Sequence, residues 1–218
     1  GLTAAAAASA SPTPLTLLLR RPQFLVAATN SALAAGMMMF VMTSSPLAVV
    51  GCGLSVGVAA SVIQWHLLAM YVPGFFSGRL IARWGVGPVL GLGAGLFGLG
   101  CAVALAGAAP FNFGLALMLN GAAWNFMFVG GSTLLTQSFA ADSPADRARA
   151  QAANEFITAA VAAIGSLLAG VVYNAWGWSA IQLGVLPLLG LAAAATLYWA
   201  TLQRRLAIET AGRQIANA

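Results

Sequence analysis

Six long apolar stretches follow one another along this chain, separated by short connections. Each is close to the roughly 20 residues that an α-helix needs to cross a hydrocarbon core of about 30 Å. The pattern therefore predicts six transmembrane helices. We expect them at residues 24–50, 55–77, 88–108, 111–139, 150–176 and 179–202.

The composition also indicates lipid as the solvent. Hydrophobic residues make up 61% of the 218 residues, and charged residues only 6%. A soluble domain carries about 25% charged residues, because its surface must be hydrated. We therefore predict an all-α membrane protein embedded in a lipid bilayer.

The charges predict how the bundle is oriented. All nine basic residues are arginines, and they flank the apolar stretches on one side only: before the first, between the second and third, between the fourth and fifth, and after the sixth. The positive-inside rule makes that side cytoplasmic, so both termini are expected inside the cell. The arginines form no continuous basic run, so we expect no nucleic-acid partner. They are Arg20, Arg21, Arg79, Arg83, Arg147, Arg149, Arg204, Arg205 and Arg213.

These features suggest three regions. Residues 1–21, which begin with an Ala/Ser/Pro/Thr-rich stretch, are expected to be a cytoplasmic linker, residues 22–203 the six-helix bundle and residues 204–218 a cytoplasmic tail. Because the chain begins with Gly rather than Met, we expect it to be a piece of a longer protein, with processing as the alternative. Pro46 and Pro73 each remove a backbone hydrogen bond and should kink the first and second helices.

Soft ligands at membrane depth carry the candidate chemistry. His66 is the only histidine and lies in the middle of the second helix, four residues before Met70. Met38 and Met42 have the same spacing in the first helix, so each pair shares a helix face. Both pairs lie equally far from the turn near residue 54, roughly 18–24 Å into the membrane. Thioether sulfur selects Cu(I), while imidazole also accepts zinc, nickel and Cu(II), so the set favours a Cu(I) site.

A purely structural interpretation stays open beside this one. Methionine fills gaps in apolar cores, and a lone histidine can hydrogen-bond across helices, here to Gln64, Asn120 or Asn125. Trp124 and Asn125 are candidate cavity-lining residues in the fourth helix, and helix–helix hydrogen bonding is the alternative for both. The sequence does not decide whether Cys52 or Glu155 takes part.

Two motifs resemble known transporters. The segment from Gly78 through Arg83 to Gly85 resembles the helix 2–3 loop motif of the major facilitator superfamily, although Ala82 stands where the motif has an acidic residue. Six helices with both ends inside are similar to the carboxy-terminal half of that fold. The resemblance implies a transporter of about twelve helices. The partner would be a missing amino-terminal six-helix half or a second copy of this chain.

The pattern MxxxM followed by HxxxM in the next helix resembles the CcoA-like copper importers of bacteria. The resemblance implies a bacterial cytoplasmic (inner) membrane protein that imports copper by alternating access. Met38, Met42, His66 and Met70 would bind the ion as transported substrate, with no cofactor. Two alternatives remain, a half of a facilitator for an organic solute or drug and a non-transporting membrane assembly subunit. No hydrolytic motif appears, so an enzyme is not expected.

Overall fold

The computed structural model describes residues 13–216, with side chains up to residue 205 and at residue 208. The first twelve residues of the predicted linker and the last two of the predicted tail lie outside this range. The described part is helical and contains no strand. Its helices are α1 (Leu15–Leu19), α2 (Pro22–Gly51), α3 (Val56–Tyr71), α4 (Gly74–Trp84), α5 (Val86–Leu105), α6 (Pro110–Ser138) and α7 (Pro144–Ala216).

Helix α7 consists of two antiparallel limbs that meet at Gly177. This residue has φ 76° and ψ −172°, a left-handed conformation that glycine adopts readily. The limb before it runs parallel to α2, and the limb after it runs antiparallel to α2. The contacts that define these directions, with the α2 residue first, join Gly36 to Gly165, Leu47 to Tyr173, Phe40 to Gly184 and Asn30 to Thr196.

Six helical segments of membrane-spanning character result. Four helices of the described chain are individually long and apolar enough to cross a bilayer, and α3 with α4 forms a fifth span that bends by 41°. The stretch Pro144–Arg205 of α7 is 62 residues long, which would be about 93 Å if straight. Its division at Gly177 gives the sixth span. The predicted all-α fold of six spans is confirmed, with ends that differ by several residues.

The bend between α3 and α4 confirms the kink expected at Pro73. Two side chains stabilise it, because Asn125 Nδ2 donates to the carbonyl oxygen of Met70 at 2.8 Å and Ser77 Oγ donates to Asn125 Oδ1 at 2.6 Å. At Pro46, by contrast, α2 continues as one helix. There Ser45 Oγ donates to the carbonyl oxygen of Met42 at 3.2 Å, which is the group that the proline leaves without an N–H donor.

The arginines with described side chains lie at one end of the bundle. Arg21, just before α2, pairs with Asp142 between α6 and α7. The α4–α5 connection, together with the two arginines of α4, lies at the same end. This follows because α3 runs parallel to α6, and α5 runs antiparallel to α6 with Gly100 beside Ala116. We call this the arginine end. It holds Arg20, Arg21, Arg79, Arg83, Arg147, Arg149, Arg204 and Arg205.

Candidate functional site

The four predicted ligands lie inside the bundle. Met38, His66 and Met70 are buried, and His66 is 0% exposed. Met42 is half-buried and packs against the same apolar core. Neither pair of side chains points to the outer surface of the bundle. The four side chains could therefore converge as predicted, and this stays a prediction.

The two pairs also lie at matching depths. Gly121 of α6 packs between the backbone of His66 and Met70, and Gly131 packs against Ala27 and Ser31 of α2. Residues in contact across two helices lie at the same height in the bundle. From these contacts, the height of any other residue follows from the rise of about 1.5 Å per residue along its helix. Met42 is then level with His66, and Met38 with Met70, each within about 2 Å. This is the register that the hairpin symmetry predicted.

Helix α6 packs against both α2 and α3 where the two pairs lie. On α2, Met38 follows Ser31 by seven residues, so both lie on the stripe that meets α6. On α3, His66 bonds to α6 directly, through the carbonyl oxygen of Leu117. The candidate site is therefore the junction of α2, α3 and α6, which is wider than the α2–α3 hairpin that the sequence indicated.

The hydrogen bond of His66 fixes what its ring can do. Nδ1 lies 2.8 Å from the carbonyl oxygen of Leu117, and since that oxygen only accepts, Nδ1 carries the proton. Nε2 is buried and has no hydrogen-bond partner. A buried imidazolium would be an unpaired charge, so the neutral ring presents a free lone pair at Nε2. That lone pair can bind a metal ion or accept a hydrogen bond from a solute.

An aromatic pair borders the same junction. Trp124 and Phe128 stack with ring centroids 5.1 Å apart and planes 12° apart. Trp124 is half-buried, and its Nε1 donor is buried without a partner. By the register above, Trp124 is level with Met38 and Met70. The helices that meet at the junction thus carry an unpaired donor, Trp124 Nε1, and an unpaired acceptor, His66 Nε2, and Ser31 Oγ of α2 is also unpaired.

Asn125, the other candidate lining residue, has a structural role in the α3–α4 bend. There its Nδ2 donates to the Met70 carbonyl oxygen and its Oδ1 accepts from Ser77 Oγ. The histidine partners considered from sequence, Gln64 and Asn120, do not bond to His66. The actual partner is a backbone carbonyl, which no side-chain motif indicates. Gly121, whose missing side chain lets α3 approach α6, is the sequence signal that could have indicated it.

The remaining candidates lie away from the junction. Gly85 ends α4 with φ 86°, a left-handed conformation that suits the glycine of the loop motif. Gly78 and Arg83 of that motif are exposed, as is Cys52. Glu155 is exposed and accepts a hydrogen bond from Gln151 at 2.7 Å.

A metal site of the usual hard or borderline type is not found in the part of the chain that the structure describes, where no three His, Cys, Asp or Glu side chains come together. A thioether–imidazole set is of another kind, so copper binding by Met38, Met42, His66 and Met70 stays a prediction.

The chain is similar to three curated transporters. It is 39% identical over 178 residues to the riboflavin transporter RfnT of Brucella anthropi, which covers 82% of this chain and 44% of that protein. It is 31% identical to two uncharacterized MFS-type transporters of Bacillus subtilis, YdeG and YddS, over 76% and 68% of this chain and 39% and 34% of theirs. No family model and no solved structure matches.

These relatives and the six-span architecture define the class. The chain is an α-helical membrane protein with the fold of one half of a major facilitator superfamily transporter. It belongs to that superfamily. The chain spans less than half the length of each relative, and all three are named as transporters, which agrees with the expectation that it is not an enzyme. None of the three names mentions copper.

Proposed function

We propose that this chain is one half of a transporter for a planar organic solute that binds at the junction of α2, α3 and α6. The observation that carries the proposal is the pair of unpaired polar atoms there, the Nε1 donor of Trp124 and the Nε2 acceptor of His66. The described chain leaves ten buried side-chain nitrogen and oxygen atoms without a hydrogen-bond partner, and we assign a bound molecule to these two because they are a donor and an acceptor on helices that meet at the junction. The half-buried indole adds a surface on which a flat ring can stack.

Riboflavin is the first solute to test. Its ring system is flat and carries both an N–H donor and carbonyl acceptors, which complement the two unpaired groups. The similarity to a riboflavin transporter supports this choice. Stacking on one aromatic ring contributes about 0.5–1.5 kcal/mol beyond buried area. An unmade buried hydrogen bond costs about 1–3 kcal/mol, so the polar pair is expected to dominate selectivity.

The proposed transport cycle is alternating access. A second six-helix half, either elsewhere in the same polypeptide or in a second copy, would pack against this one, and rocking of the halves would open the junction to each side in turn. The arginine end would face the cytoplasm of a bacterial inner membrane, because basic residues are retained on that side.

Copper is the second candidate, and one observation favours it. Histidines that bind metals usually donate their other ring N–H to a carboxylate, a backbone carbonyl or water, as His66 does to Leu117. Nε2 would then be the ligand, with thioethers from Met42 and its neighbours at matching depth. Copper binding gives the unpaired N–H donor of Trp124 no role, so we rank copper below the organic solute.

Uptake measurements with three substitutions separate the candidates. The full-length protein would be produced in cells that lack their own uptake systems, and uptake of labelled riboflavin and of copper would be measured. For an organic solute, Trp124→Phe and His66→Asn each lower riboflavin uptake at least about fivefold, while Met42→Leu changes it less than twofold. For copper, His66→Asn and Met42→Leu lower copper uptake, while Trp124→Phe does not.

The control is the exposed Met118, which lies on the outer side of the same helix as Trp124. Met118→Leu should leave uptake of either substrate unchanged. If the unsubstituted protein raises uptake of neither substrate above that of cells without it, both candidates fail. A non-transporting assembly subunit would then be the better interpretation.

A further inference from the structure

The residues before α2 are held against the arginine end by an ion pair. Arg21 donates through both terminal nitrogens to the two carboxylate oxygens of Asp142, at 2.8 and 2.9 Å. The guanidinium also lies 4.9 Å from the ring centroid of Phe139. Asp142 raises the pKa of Arg21 above its ordinary value, mainly through this hydrogen bond. One short segment is thereby connected to the α6–α7 loop.

A second set of contacts holds the other end of the same segment. Thr13 Oγ1 donates to Asp146 Oδ2 at 2.8 Å, and Arg149 Nη1 donates to the carbonyl oxygen of Thr13 at 2.7 Å. Between the two sets lies α1, whose Leu18 is fully buried. We call residues 13–21, with their partners in α7 and the α6–α7 loop, the latch.

The latch has the properties of a contact that opens and closes. Its apolar attachment consists of the buried Leu18 and the partly buried Leu19, beside a few polar contacts and the Arg21–Phe139 contact, while Leu15 and Leu17 remain exposed. The Arg21 and Asp142 side chains keep 35% and 19% of their surface exposed, so salt can screen this ion pair even though its geometry is bidentate. A rigid core contact would bury far more apolar surface.

The latch lies at the ends of two helices that form the junction of α2, α3 and α6. Arg21 directly precedes α2, and Asp142 follows the end of α6, so the ion pair ties together the arginine ends of two helices that border the site. We propose that the latch is a conformational lock, closed in this structure, that must release before cargo leaves the junction toward the arginine end. This inference rests on the transport function proposed above.

Reversible cross-linking tests the lock. Cysteines would replace Thr13 and Asp146 in the full-length protein, with Cys52→Ser and Cys101→Ala as background, and a short bis-methanethiosulfonate reagent would join them. Cross-linking should lower uptake at least tenfold relative to the single-cysteine proteins, and reductant should restore it. The matched control joins Thr43 to Ser166, whose hydroxyl oxygens are 3.2 Å apart within this half. That cross-link should change uptake less than twofold.

Hydrogen exchange gives a readout that does not depend on transport. Backbone amides of residues 15–21 should exchange at least threefold faster in Asp142→Asn than in the parent protein. The charge-exchanged protein Arg21→Asp with Asp142→Arg should recover slow exchange. Equal exchange in Asp142→Asn and the parent, or full uptake by the cross-linked latch, would overturn the proposal. If the parent transports nothing, the proposed function fails, and exchange alone still decides whether the ion pair holds the segment.

Discussion

Gly121→Ala is the most informative single substitution at the junction. A Cβ at this position would lie 2.7 Å from the carbonyl oxygen of His66 and 3.1 Å from the backbone nitrogen of Met70. Both are backbone atoms and cannot rotate away, so α3 must move off α6 to make room. That movement lengthens the His66–Leu117 and Asn125–Met70 hydrogen bonds, which both cross this interface.

The size of the effect follows from these contacts. Overpacking by one methyl group costs about 1–3 kcal/mol, and each weakened hydrogen bond up to about 1 kcal/mol more. Alanine recovers about 0.5–1 kcal/mol through its higher helix propensity. The matched control is Gly114→Ala in the same helix, where a Cβ meets nothing within 4 Å, so only the favourable term applies. Because the propensity gain is common to both variants and cancels, we expect Gly121→Ala to be less stable than Gly114→Ala by about 1–5 kcal/mol.

Reversible unfolding in mixed detergent micelles, followed by circular dichroism, measures this difference. Riboflavin and copper uptake by the same two proteins would show whether the junction is lost with the packing. Equal unfolding free energies for the two alanine variants would mean that α3 and α6 do not approach closely at Gly121. The depth register of the candidate site would then lose its basis.

Two further substitutions test the bends in the fold by the same unfolding assay. Gly177→Ala forces a left-handed φ of 76° on alanine and should lower the unfolding free energy by about 1–3 kcal/mol relative to Gly170→Ala, whose Cβ meets open space. Ser77→Ala leaves Asn125 Oδ1 without a donor and should cost about 1–3 kcal/mol, against less than about 0.5 for the exposed Ser61→Ala. A Ser77→Ala protein as stable as Ser61→Ala would contradict the role given to Asn125.

The six spans could be predicted because each one depends mainly on its own apolar residues. The ends were harder, since they depend on local polar contacts. The fifth span was expected from residue 150, whereas α7 begins at Pro144. Ser143 caps that helix by accepting a hydrogen bond from the Asp146 backbone at 3.1 Å, and proline suits the first turn. Hydropathy gives no weight to this polar first turn, although the capping signal is in the sequence.

The depth of the candidate ligands in the bundle could be predicted from the sequence, but the helices that surround them could be predicted only in part. Spacing along two helices of a hairpin fixes depth, so the pairing of Met42 with His66 followed from the position of the turn. Which third helix closes the site depends on long-range packing. The hydrogen bond from His66 to Leu117 joins residues 51 apart and uses a backbone acceptor that every helical residue has. The sequence therefore did not distinguish Leu117 from its neighbours.

Some polar atoms at the junction bond to the protein, and others have no partner in it. Substitutions that remove only the second kind can therefore test solute binding separately from stability. His66→Asn keeps a donor bonded directly to Cγ, where it can still reach the Leu117 carbonyl oxygen, but removes the Nε2 acceptor. Trp124→Phe keeps an aromatic ring but removes the unpaired N–H donor. Since neither Nε2 nor Nε1 bonds to the protein, Trp124→Phe should unfold within about 1 kcal/mol of the parent, and His66→Asn should lose less stability than a variant that also loses the Leu117 bond.

Solute affinity should respond quite differently in the same two variants. Loss of one hydrogen bond to a buried solute group costs about 1–3 kcal/mol, which corresponds to roughly five- to 150-fold weaker binding. Tryptophan-fluorescence or calorimetric titration of the purified full-length protein with riboflavin measures this change. His66→Leu provides the contrast, because it also leaves the Leu117 contact unmade and should lower stability as well as affinity. If His66→Asn and Trp124→Phe bound riboflavin as tightly as the parent, the two unpaired groups would not be the solute's partners.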